Sequence, residues 1–99
     1  MAKILLVEDD ELVRDMLAQI LQRAKHEVSI AADGEEAATL LRATQPDIMV
    51  TDIIMPKKSG ITLIKEVKDR HPNLEIIAIN KAVLSTGFSK ETEAPQTFG

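Results

Sequence analysis

The sequence contains no cysteine, tryptophan or tyrosine, and its only aromatic residues are Phe88 and Phe98. Disulfides, thiolate metal sites and cysteine nucleophiles are thereby excluded together. So are the aromatic platforms on which single-stranded nucleic acid stacks. Basic runs are lacking too: the formal net charge is -4, whereas phosphate backbones are bound by clustered Lys and Arg. Direct binding to nucleic acid is not expected. Nor is there a long hydrophobic stretch, since the first apolar run, Ile4 to Val7, is far too short for a signal peptide or a membrane span. The expectation is a cytoplasmic protein without membrane contact. What is present is aliphatic: 44% of the 99 residues are hydrophobic, enough for one domain with one core.

Ile4-Leu5-Leu6-Val7 is a continuous apolar run, the pattern of a parallel strand covered on both faces. It breaks into Glu8-Asp9-Asp10-Glu11. Leu12, Val13, Met16, Leu17, Ile20, Leu21 and Ala24 then form one broad helical stripe, with Asp10 placed as its cap. Residues 28–32 read as a second strand. Asp33 followed three residues later by Glu36 has the spacing of a capping box and predicts a helix over 34–43. Pro46 stops that segment, and residues 47–51 form a third strand leading into Asp52. After a loop over 53–59, Ile61, Ile64 and Val67 restore the helical period from Gly60 until His71-Pro72, and residues 74–79 make a fourth strand. The order βαβαβαβ implies parallel strands with right-handed crossovers and helices on both faces. Residues 81–99 show neither period and are expected to be a mobile or self-associating tail beside a domain over 1–80.

Glu8, Asp9 and Asp52 each stand at or just past the C-terminal end of a predicted strand, the edge of an open α/β sheet where ligands bind. If strands 1 and 3 are neighbours, about 4.8 Å apart, three carboxylates converge. Charges of one sign that close repel and cost stability unless a cation joins them. A hard oxygen cluster suits Mg2+, which takes one or two carboxylates, waters and phosphate oxygens. Asp10 and Asp33, by contrast, are read as helix caps, Ser59 as a turn residue, and Lys57 and Lys58 as solvated loop charges. Gly60 is expected to supply a backbone conformation other residues dislike. His26 and His71 lack metal-ligand spacing and are expected at the surface.

Ile4-Leu5-Leu6-Val7-Glu8-Asp9-Asp10, together with Pro46-Asp47-Ile48-Met49-Val50-Thr51-Asp52-Ile53-Ile54-Met55-Pro56 and Ser59-Gly60, resembles the first and third strand motifs of receiver (CheY-like) domains of two-component response regulators. The resemblance covers about residues 3–79. It implies a flavodoxin-like doubly wound parallel sheet of four strands and three helices, in strand order 2-1-3-4. It also implies that Asp52 accepts a phosphoryl group from a histidine kinase or a small-molecule phosphodonor. Glu8 and Asp9 would hold Mg2+ with Asp52 and the backbone carbonyl of Ile54, Glu8 acting mainly through water. Such a chain is a phosphoacceptor rather than an enzyme.

Two departures qualify the resemblance. Receiver domains carry Thr or Ser at the end of the fourth strand, and here Asn80 occupies that switch position. They also have a fifth strand ending in Lys, usually before Pro; Lys81 and Lys90 lie in unmatched contexts. Impaired phosphorylation is therefore expected, with an interaction or self-association module that keeps the receiver half-fold but is incapable of phosphorylation as the alternative. Without a fifth strand, residues 74–79 would form an apolar edge, which predicts a homodimer through the exposed fourth strand. A flavodoxin-like nucleotide or flavin site is disfavoured, because Glu8-Asp9-Asp10-Glu11 would repel phosphate after strand 1.

Overall fold

The computed structural model describes residues 1–53 and 60–80 and the backbone of 96–98. β1 (Lys3–Val7), β2 (Glu27–Ala31), β3 (Ile48–Asp52) and β4 (Glu75–Ile79) alternate with α1 (Glu11–Arg23), α2 (Gly34–Thr44) and α3 (Gly60–Arg70). The four strands are parallel and lie in the order β2-β1-β3-β4. This is the expected flavodoxin-like arrangement, with each boundary within one or two residues of its sequence reading.

The helix ends follow from local chemistry. Asp10 caps α1 by accepting from the Val13 backbone N–H at 3.1 Å, and Asp33 caps α2 by accepting from Glu36 N–H at 2.9 Å. Glu36 reaches back as a capping box requires, but to the N–H of Ala32 at 3.4 Å rather than to that of Asp33. At the other ends the chain turns through left-handed residues that are not glycine, Lys25 (φ 73) after α1 and Gln45 (φ 47) after α2.

Register divides the core into two layers. Leu5, Val7, Met49, Ile76 and Ala78 point to the face packed by α2 and α3, where Ala37, Leu41, Leu63, Ile64 and Val67 close over them. Ile4, Leu6 and Val50 point to the other face, against Leu17, Ala18 and Leu21 of α1. The apolar stripe of α1 is broader than the surface it buries: Ala18 is its one buried residue, while Leu12, Met16 and Ile20 are 82%, 47% and 53% exposed. Packing on the sheet needs only the narrow line of Leu17, Ala18 and Leu21, so Leu12, Met16, Ile20 and Ala24 of the expected stripe face outward while Val13 stays half-buried.

A fifth strand, β5 (Gln96–Phe98), runs antiparallel to β4 and pairs Ile76 with Phe98, Ile77 with Thr97 and Ala78 with Gln96. It corrects the expectation of an open fourth-strand edge. Over Ile76 to Ala78 the ladder is occupied by the chain's own backbone, which removes the unpaired groups on which the expected homodimer rested. Three residues carry too little alternation to announce a strand. Residues 81–95 and Gly99, the rest of the expected tail, lie outside the described residues.

Candidate functional site

Both strands that build the site are pinned at their starts. Lys3 N–H donates to Asp47 Oδ2 at 2.9 Å and Asp47 N–H to the Lys3 carbonyl at 2.8 Å. From that anchor the β1–β3 register runs through Ile4–Ile48 to Val7–Thr51. The residues that follow, Glu8 and Asp9 from β1 and Asp52 at the end of β3, therefore arrive together at the C-terminal edge of the sheet.

One carboxylate oxygen from each of Glu8, Asp9 and Asp52 lies within 4.8 Å of the others. Glu8 and Asp52 are each only 2% exposed, and Asp9 is half-buried. Fixed hydrogen bonds hold the surrounding backbone. Glu8 N–H donates to the Ala31 carbonyl at 3.0 Å, and Glu8 Oε1 accepts from Asp10 N–H at 2.9 Å. Arg14 Nη1 donates to the Glu8 carbonyl at 3.2 Å, and buried Thr51 Oγ1 donates to the Asp52 carbonyl at 3.1 Å. Ile53 N–H reaches across to the carbonyl of Ile79, at the end of β4. Arg14 and Thr51 were not singled out from the sequence; the signal for Arg14 was a base one helical turn after an acidic cap.

Gly60 serves the site by close approach. Its N–H donates to the Ile53 carbonyl at 2.7 Å, and a Cβ there would run into the Asp52 carbonyl oxygen and stand 2.7 Å from Ile53 Cα. Gly60 is not among the residues with left-handed backbone, so the expected need for an unusual conformation is replaced by a need for space. α3 begins where the backbone behind the acidic cluster leaves no room for a side chain.

Asn80 directly follows Ile79, the β4 partner of Asp52, and is exposed at the same sheet edge. Ile54, with Met55, Pro56, Lys57, Lys58 and Ser59, lies outside the described residues, as do Lys81 and Lys90. His26 has a structural task instead of a surface one: its Nδ1 accepts from Ala2 N–H at 3.0 Å and ties down the start of β1. His71 sits half-buried between α3 and β4, toward the N-terminal edge of the sheet and away from the acids at its C-terminal edge.

The donor set is all oxygen, compact and anionic, which fits a small hard divalent cation with room for water or phosphate oxygens. No helix among the described residues is long and apolar enough to cross a membrane.

Comparison with known proteins agrees with this geometry. The profile of the response regulator receiver domain matches residues 4–91. The chain is 33% identical over 82 residues to a probable C4-dicarboxylate response regulator DctR of Halalkalibacterium halodurans, covering 81% of this chain and 36% of that protein. It is 41% identical over 71 residues to the transcriptional regulatory protein CpxR of Klebsiella pneumoniae, covering 72% of this chain and 30% of that one. It thus spans about a third of the length of these curated relatives. Among solved structures it superposes on the chemotaxis response regulator CheY4 of Vibrio cholerae with a TM-score of 0.74 at 34% identity, over 79% of this chain and 67% of that one. With its strand order, its acidic cluster and a profile match over most of its length, the chain belongs to the response regulator receiver domain family.

Proposed function

We propose that the chain is a Mg2+-dependent phosphoacceptor in two-component signalling, with Asp52 as the residue modified. The observation that carries this reading is the convergence of Glu8, Asp9 and Asp52 within 4.8 Å at the C-terminal sheet edge. Asp9 and Asp52 serve as direct metal ligands. Glu8 holds Asp10 N–H through Oε1 and acts on the metal mainly through water. The Ile54 carbonyl is assigned as a further ligand from the family resemblance alone. When bound, Mg2+ neutralises charge on the transferring phosphoryl oxygens.

The chain's own contribution is positioning. An Asp52 oxygen attacks phosphorus in line, the P–N bond of a phosphohistidine or the P–O bond of an acyl phosphate breaks, and the leaving group departs with the bonding electrons. Burial of Asp52 among fixed backbone hydrogen bonds keeps the carboxylate from wandering, which matters because misplacement by about 1 Å can cost on the order of a hundredfold in rate. The donor is a histidine kinase or a small acyl phosphate, the compartment the cytoplasm. The chain accepts a phosphoryl group rather than turning over substrates.

A second reading, an interaction module that keeps the fold without the switch, is favoured by Asn80. Its amide can donate a hydrogen bond to a phosphoryl oxygen, but its length and planarity do not reproduce a short hydroxyl. Self-association through paired fourth strands is not part of either reading, because β5 takes that edge over Ile76 to Ala78.

Acetyl phosphate with Mg2+, followed by borohydride trapping and mass mapping, tests the first reading. One phosphoryl group on Asp52 is expected. Phosphate on another residue, or an unchanged Mg2+ affinity in Asp52→Asn, would overturn the assignment; a protein that binds Mg2+ yet stays unmodified would favour the second reading.

A further inference from the structure

Asp9 stands between two peptide planes that are each held by a hydrogen bond. The plane before it carries the Glu8 carbonyl, which accepts from Arg14 Nη1 at 3.2 Å. The plane after it carries the Asp10 N–H, which donates to Glu8 Oε1 at 2.9 Å. Because each peptide is rigid, fixing both planes limits the φ and ψ of Asp9 together, and with them the direction in which its side chain leaves the backbone. Only its own rotamers then decide how the Asp9 carboxylate meets those of Glu8 and Asp52, each of which brings an oxygen within 4.8 Å of it.

Arg14 is anchored at both of its ends. Its N–H donates to the Asp10 carbonyl at 2.8 Å in the first turn of α1, and Asp10 also caps that helix through Val13 N–H at 3.1 Å. The half-buried side chain reaches back six residues to the Glu8 carbonyl. The bonds close a ring that runs from the Glu8 carbonyl through Arg14 and Asp10 to the Glu8 carboxylate, with Asp9 inside it. A cation this near the start of a helix works against the positive end of the dipole, so helix electrostatics do not account for Arg14. Its bond goes to a main-chain oxygen next to Asp9, and a bond of that kind steadies an acid without competing with a metal for its oxygens.

We propose, on the Mg2+-dependent reading of the cluster, that Arg14 is a positioning residue: it holds the Glu8–Asp9 peptide so that the Asp9 carboxylate is aimed at the metal position before any metal arrives. Two effects of its guanidinium on Mg2+ binding are opposed. The positive charge near three carboxylates repels a second cation, whereas the pinned peptide spares the ordering that binding otherwise requires. Positioning is the larger effect, because a partly solvated charge is screened by salt while the hydrogen bond acts directly on the backbone of a ligand. Partners bonded to ligand side chains typically change metal affinity by about 10–100-fold. Arg14 acts through one peptide, so about three- to tenfold is expected.

Mg2+ titrations of the whole chain, followed by amide NMR, test this with Arg14→Met and Arg14→Lys. Arginine, methionine and lysine have similar helix propensity and an unbranched stem, so α1 persists in both variants. Arg14→Met should weaken Mg2+ binding by about three- to tenfold, and Arg14→Lys, which keeps a charged donor, should recover part of the loss. In Mg2+-free buffer the Asp9 and Asp10 amides should exchange faster with deuterium in Arg14→Met, while amides of β3 and β4 keep their rates. An affinity that is unchanged or raised in Arg14→Met would overturn the proposal, a rise showing that charge outweighs position. Faster exchange spread evenly over all strands would equally overturn it, by making Arg14 a residue of global stability. A parent chain that binds no Mg2+, or binding that Asp52→Asn leaves unchanged, would instead remove the Mg2+ reading itself and the role of Arg14 with it, so the two failures are read from different proteins.

Discussion

Replacing Gly60 by alanine should destabilise the protein, although helix propensity alone forecasts the opposite. Alanine is favoured over glycine by up to about 1 kcal/mol inside a helix. Against that stands the geometry at the start of α3, where the added Cβ would collide with the Asp52 carbonyl oxygen and lie 2.7 Å from Ile53 Cα and 2.9 Å from the Asp52 carbonyl carbon. All three atoms are backbone, so no rotamer change relieves the contact. Overpacking typically costs about 1–3 kcal/mol, and the upper end applies where main chain must move. The net loss is about 2 kcal/mol, which for a domain of this size lowers Tm by roughly 10 °C. Relief would come from moving α3 away or from shifting the peptide that carries Asp52, and either loosens the acidic cluster. Thermal unfolding followed by circular dichroism, with a Mg2+ titration of the same variant, checks both consequences. A Tm equal to or above that of the parent, with unchanged Mg2+ affinity, would refute the reasoning.

Three further outcomes are expected. Asp52→Asn should raise stability in Mg2+-free buffer by on the order of 1 kcal/mol, because it removes one of three crowded negative charges; urea unfolding with and without Mg2+ should show that advantage shrinking once the cation is added. Lys25→Gly should stabilise by about 0.5–1 kcal/mol, since a left-handed backbone is costly for lysine and free for glycine; a lower urea midpoint would contradict it. Asp33→Ala should cost about 1 kcal/mol through the lost acceptor for Glu36 N–H, and the nearby amides at the start of α2 should exchange faster with deuterium.

Strand β1 and the acids after it were legible because a four-residue aliphatic run broken by carboxylates has few structural meanings. The capping roles of Asp10 and Asp33 were legible for the same reason: the residue type, its place before an apolar period and the local hydrogen bond all agree. Other features left no such mark. Lys25 and Gln45 adopt left-handed backbone that sequence rules assign to Gly or Asn, so only the folded chain shows those turns. The outward half of the α1 stripe could not be separated from its inward half, because period reports which residues share a side and not how wide the opposing surface is. Gly60 was noticed for the wrong virtue, flexibility, where its value is volume. The pairing of residues 96–98 with β4 is long-range and short, and local pattern is blind to both.

The anchor between Lys3 and Asp47 joins residues 44 positions apart. The β1–β3 ladder that follows closes a loop containing β2 and both α1 and α2, and the entropy of that closure is spent before any contact rewards it. Asp52 meets Glu8 and Asp9 only on the far side of this closure, so no early, local fragment of the chain can assemble the three-carboxylate cluster. A cation bound as proposed would be bound by the folded state alone, and its binding energy would be added to global stability by mass action rather than to the rigidity of one loop. On the proposed function, loss of Mg2+ and loss of the fold are linked equilibria, and the denaturation midpoint should rise with Mg2+ concentration as the site fills.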